Sequence, residues 1–173
     1  MLNTVGQWHA AFTGCYGQHT AGPHVWVLED DVGYAGGIRN LVEAYAAESG
    51  DLVADGPWAV HRGSGQFYWR RVATAPFLAA ISPPARLFCR ENAHRLSWRL
   101  IAAMDSLAGG GVTGWSEMAI PSLCLSLGFT FSAIRPRHIG SPFSWGGRVS
   151  QSEWEEVRTD RAQWGKLFHA LKW

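Results

Sequence analysis

Residues His24 to Gly37 read HVWVLEDDVGYAGG. Four apolar residues, Val25 to Leu28, pass without polar alternation into three acids, and the segment closes on glycines. A strand lacking alternation is covered on both faces, as in a parallel sheet. The rest of the chain must therefore be laid around this strand, while its end carries charge that cannot be buried with it. In an extended chain side chains alternate, so Glu29 and Asp31 are expected to point one way and Asp30 the other, the first pair about 6.6 Å apart at Cα. Carboxylates held near each other repel, by roughly 4 kcal/mol at about 4 Å and an effective dielectric near 20. Water, a basic side chain, a shared proton or a divalent cation has to offset that repulsion. Magnesium and manganese favour carboxylate oxygens and leave positions open for phosphate. In open α/β sheets ligands bind beyond the carboxyl ends of the strands, which is where these acids fall. Gly33, Gly36 and Gly37 would let the backbone approach such a ligand closely. A bare acidic triplet also suits a solvated turn.

The remaining pattern alternates strand and helix. Ile38, Leu41, Val42, Tyr45 and Ala46 recur at spacings of three and four, predicting an amphipathic helix that stops near Gly50. DLVA (Asp51 to Ala54) reads as a short buried strand, and a polar, aromatic loop follows. ATAPFLAAISPPA reads as a strand or a helical turn stopped by Pro83 and Pro84. Ala93, Leu96, Leu100, Met104 and Leu107 form a stripe that predicts one long helix over 85–111, with Arg90, Arg95 and Arg99 on its solvated face. GWSEMAIPSLCLSLG predicts a second helix, and FTFSAIRP alternates as a strand. The tail, 148–173, predicts a C-terminal helix from 153 to about 171, acidic early and basic late, in keeping with the helix dipole. Residues 1–23 read as a loop-like lead-in. The order of elements is α/β, in a single domain over 1–173.

The 173 residues suffice for one core; 47% are hydrophobic and 17% charged, which favours folding over disorder. A net charge of +1 gives no basic field, so no nucleic-acid partner is expected. The three cysteines are far apart with no CxxC pair, against a disulfide framework or a structural zinc. Ten tryptophans stack well on sugar rings, though most suit a core. No apolar run approaches the roughly 20 residues of a membrane-spanning helix, and the first residues do not read as a signal peptide.

VWVLEDDVGYAGG resembles the DxD region of GT-A-fold glycosyltransferases, in which a hydrophobic strand delivers an acidic triplet. The resemblance implies a partial GT-A-like (Rossmann-like) mixed sheet flanked by helices. It implies a nucleotide-sugar donor, a carbohydrate or other hydroxyl acceptor, and Mn2+ or Mg2+. By it, Asp31 is the metal ligand, Glu29 lies at the ribose or sugar, and Asp30 is a second contact or an outward acid. A late histidine often supplies another ligand in this family, and His138 in RPRHIG is the candidate. Glu117, in GWSEMAIPSLC, matches the acid that serves as catalytic base at the start of a helix. Arg135 and Arg137 flank Pro136; Arg137 is the candidate to pair with phosphate, and both also suit ordinary solvated charges. Trp115, Trp145 and His61 are the acceptor-side candidates; each also has an ordinary reading as core packing or exposed loop.

Only 28 residues precede Glu29, whereas the resemblance implies on the order of one hundred. The chain is therefore expected to correspond to the C-terminal two-thirds of such a domain, as an incomplete or inactive copy of the enzyme. An anchor upstream would imply the secretory pathway (Golgi), and its absence the cytoplasm. Two rival readings stay open: a non-catalytic remnant or carbohydrate-binding module that kept the tryptophans, and another metal-dependent phosphotransfer or hydrolytic enzyme using the same acids.

Overall fold

The computed structural model describes residues 24–59, 74–141 and 148–171. His61 and Trp145 lie outside them. The fold is α/β, with a mixed sheet flanked by helices, and the chain divides into two compact units. The first comprises the described residues of Met1–Val27 and Gly50–Ala133, the second those of Leu28–Ser49 and Ile134–Trp173.

In the first unit a four-stranded sheet runs in the order β1 (His24–Leu28), β4 (Leu87–Ser97), β3 (Leu52–Ala59), β5 (Phe131–Ala133). β3 pairs antiparallel with β4 and parallel with β5. Helices α2 (Ala75–Ala80), α3 (Trp98–Gly109) and α4 (Ser116–Ser126) belong to the same unit. Leu52, Ala54, Phe77, Leu96, Leu100, Met118 and Leu123 are buried together in its core. α4 has no amphipathic stripe, because every residue from Ser116 to Cys124 is buried. Its Ser122 hydroxyl bonds the Leu87 amide (2.9 Å) and carbonyl (3.2 Å), tying the helix to the start of β4.

The long helix expected over 85–111 is instead a strand followed by a helix. Leu87–Ser97 is β4, flanked by β1 and β3, and residues 92–97 are all buried. Ser97 then caps α3, accepting from the Leu100 amide at 3.2 Å. The three arginines do not share a helix face: Arg90 pairs with Asp55 on β3 at 2.9 Å, Arg95 is buried on β4, and only Arg99 is on the helix.

Asp51 joins three parts of this unit. Its carboxylate accepts from Arg99 Nε and Nη2 (2.5 and 2.6 Å), from the Ser97 hydroxyl (2.7 Å), and from the Thr130 amide and hydroxyl (3.0 and 2.9 Å). The carboxylate is buried, and the Arg99 guanidinium beside it, above all, holds its pKa far below the usual range against the opposing cost of burial.

The second unit holds β2 (Val32–Tyr34), α1 (Ile38–Ala44), a 3-10 turn at Pro136–His138, α5 (Gln151–Thr159), another 3-10 turn at Arg161–Gln163, and β6 (Leu167–His169). A capping box starts α5: the Ser150 hydroxyl accepts from the Glu153 amide, and the Glu153 carboxylate accepts from the Ser150 amide at 2.7 Å. The helix expected in the tail ends at Thr159. The chain turns at Gly165 (φ +89°), and Leu167–His169 runs antiparallel to β2, so Lys166 stands outside any helix. The pairs are Val32 with His169, Gly33 with Phe168, and Tyr34 with Leu167.

Candidate metal centre

The acids that end β1 lie in a tight turn, closed by the Val32 amide donating to the Glu29 carbonyl at 3.1 Å. Asp30 at its tip is exposed, whereas the Glu29 and Asp31 side chains are only 24% and 12% accessible. β6 brings a third group to them. Its register sets His169 opposite Val32, next in the chain to Asp31, and the Leu171 amide donates to the Asp31 carbonyl at 3.0 Å. His169 Nε2 lies 3.5 Å from Glu29 Oε2 and 3.4 Å from Asp31 Oδ1. One ligand atom from each of the three residues lies within 4.8 Å of the others.

Those separations bear on what the site holds. Charge-assisted hydrogen bonds run at about 2.7–2.9 Å, so the imidazole faces both carboxylates at ion-pair range but beyond the tightest such bonds. Ligands at about 2.1 Å from one ion are about 3.0 Å apart when adjacent and about 4.2 Å when opposite. The 3.4 and 3.5 Å distances fall between those limits, and all three ligand atoms lie within 4.8 Å of one another. Two carboxylates about 5 Å apart repel by roughly 3 kcal/mol at an effective dielectric near 20, a term that a cation between them reverses. Two carboxylate oxygens and one imidazole nitrogen are a donor set that a divalent metal ion accepts.

The other expected site residues are distributed as follows. His138 belongs to the second unit but lies outside this convergent group. Its Nδ1 is 3.0 Å from Tyr45 Oη, and its Nε2 accepts from Arg137 Nε at 3.3 Å. With Nδ1–H donating to the phenol, both ring nitrogens are engaged. Burial, and then the Arg137 and Arg135 charges, lower its pKa, which favours a neutral ring. Arg137 is exposed beside it, while Arg135 stacks on Tyr45 (4.8 Å to the ring centre) and donates to the Ala44 carbonyl at 3.0 Å. Glu117 is in the first unit, buried in the first turn of α4. Trp115 just precedes that helix, and its carbonyl accepts from the Met118 and Ala119 amides.

The glycines after the acids do not all serve a ligand approach. A methyl group on Gly33 would fall 2.6 Å from both Leu171 Cδ1 and Trp154 Cη2, so that glycine makes room for the unit's own core. Gly36 turns the chain at φ +96°, and a methyl group built on Gly37 would meet nothing within 4 Å. His169, the residue that completes the group, is the one the sequence pattern hides. Gly165, a breaker inside the expected helix, is the signal that the tail changes direction before it.

Among the described residues, no helix is long and apolar enough to cross a membrane. Comparison with protein-family models, with curated proteins and with solved structures gave no match for this chain, so the functional reading rests on its own side chains.

Proposed function

We propose that the chain carries the metal centre of a GT-A-like glycosyltransferase, acting on a nucleotide-sugar donor and a hydroxyl acceptor. The observation that carries this reading is the convergence of Glu29, Asp31 and His169 at the end of the apolar strand VWVL. Glu29 and Asp31 supply two negative oxygens and His169 a neutral nitrogen, so one divalent ion would be held with net negative protein charge and open positions. A bound ion supplies positive charge to offset the charge that grows on a diphosphate leaving group. His169 fills the place of the late histidine that the family resemblance implies.

The test is thermal. Mn2+ with a nucleoside diphosphate should raise the Tm by mass action, corresponding to about 2.7 kcal/mol at one hundred times the dissociation constant. Asp31→Ala should remove that response, whereas His138→Gln should leave it in place. An equal response in wild type and Asp31→Ala would refute the centre, and a rise with oligosaccharide alone would favour a carbohydrate-binding module. The base role that the resemblance gives Glu117 is tested by Glu117→Gln, with an expected fall in turnover of about 10²–10⁴-fold at unchanged donor affinity. Unaltered turnover would remove Glu117 from the reaction.

A further inference from the structure

Glu29 and Asp31 sit in the turn before β2, while His169 ends β6, at the far end of the sequence. Among the described residues the ladder between these segments pairs three residues on each strand, extended by backbone bonds from the Ala35 amide to the Lys166 carbonyl (3.0 Å), the Gly165 amide to the Ala35 carbonyl (2.9 Å) and the Leu171 amide to the Asp31 carbonyl (3.0 Å). A two-stranded pairing of that length is marginal by itself. On its other side β6 meets Ile139 in a single parallel bridge, and the Gly140 amide donates to the Leu167 carbonyl at 2.7 Å. Phe168 packs edge-on against Trp154, at 5.9 Å between ring centres. These contacts hold β6 in place, and His169 faces Glu29 at 3.5 Å and Asp31 at 3.4 Å, within ion-pair range of both.

We propose that a divalent cation bound by Glu29, Asp31 and His169 is the clasp that fixes β6 to β2, so that metal binding and closure of the C-terminal segment are one coupled event. The inference rests on the metal centre proposed above. Opening of β6 removes the imidazole and leaves the turn with two mutually repelling carboxylates. The open form therefore binds the ion poorly, and the ion must shift the population toward the closed form. By the same coupling, anything that loosens β6 weakens metal affinity.

Hydrogen exchange on the full chain tests this, with Mn2+ alone as the ligand and EDTA as the reference. Calorimetry run in parallel establishes whether Mn2+ binds. At one hundred times the dissociation constant, amides in 167–171 and 32–34 should exchange about a hundredfold more slowly. Amides of β3 and β4 in the first unit should change by less than twofold. His169→Gln preserves the size of the side chain; it should bind Mn2+ more weakly and lose most of the added protection. If Mn2+ binds but exchange in 167–171 is unchanged, or slows equally throughout the chain, the clasp is refuted and the metal centre survives. If calorimetry detects no binding, both fail.

Discussion

Asp51→Asn is expected to cost about 3 kcal/mol of folding stability, read as a lower urea midpoint at unchanged m-value. The substitution keeps the shape and removes the charge. In the native chain both carboxylate oxygens accept, one from Ser97 and Arg99, the other from Arg99 and Thr130. An amide offers one acceptor and turns a donor toward donors, leaving buried groups unsatisfied. The same residue sets a pH dependence. Its carboxyl is depressed when folded, so the stability it contributes is fully present above the unfolded aspartate pKa of about 4. That contribution is lost progressively as pH falls below this value toward the folded pKa. Wild type should therefore lose stability below about pH 4 more steeply than Asp51→Asn. Parallel acid profiles for the two proteins would rule out Asp51 as the source.

The expected strand over Asp51 to Ala54 agrees with the start of β3, but nothing in DLVA says that its aspartate gathers a helix cap and a loop. That arrangement depends on where β4 ends, and β4 is the element most disguised in the sequence. Ala93 and Leu96 of the strand continue at helical spacing into Leu100, Met104 and Leu107, which are truly helical. A strand with neighbours on both sides and burial on both faces loses the alternation that marks strands, so its apolar residues merge with the stripe of the following helix. The capping serine at position 97 is the local sign that two elements meet there.

The candidate centre was legible to a similar degree. The apolar run and the acids after it follow from residue type, but extended-strand alternation is what groups Glu29 with Asp31 in the sequence, whereas they lie in a tight turn beyond the strand and are brought together there. Finding His169 requires the register of a three-residue strand, too short to show any period, and pairing with a segment far away in sequence. The acidic start and basic end of 153–171 suit a helix dipole, yet α5 ends at Thr159 and the tertiary pairing of β6 decides the rest.

That pairing rests on a close approach at Gly140, and filling it should have a large effect. A methyl group there would fall 2.5 Å from Phe168 Cζ and 2.7 Å from Cδ1, on a ring that is almost fully buried. The Gly140 backbone is not in the left-handed region, so the cost of Gly140→Ala is steric. Overpacking of this kind costs about 1–3 kcal/mol, and the upper end is expected because Trp154 limits where the ring can go. Phe168 precedes His169, so a ring pushed away from Gly140 drags the imidazole off the acids. Gly140→Ala should therefore lower the Tm in EDTA and also reduce the further rise that Mn2+ gives. Gly37→Ala is the control: no atom lies within 4 Å of its added methyl, and a change within about 0.5 kcal/mol is expected. Phe168→Leu combined with Gly140→Ala should recover more than the two single changes predict when added, because the smaller side chain relieves the clash. Additive losses would show that the two residues do not meet, and an unchanged Mn2+ response in a destabilised Gly140→Ala protein would uncouple Phe168 packing from the position of His169.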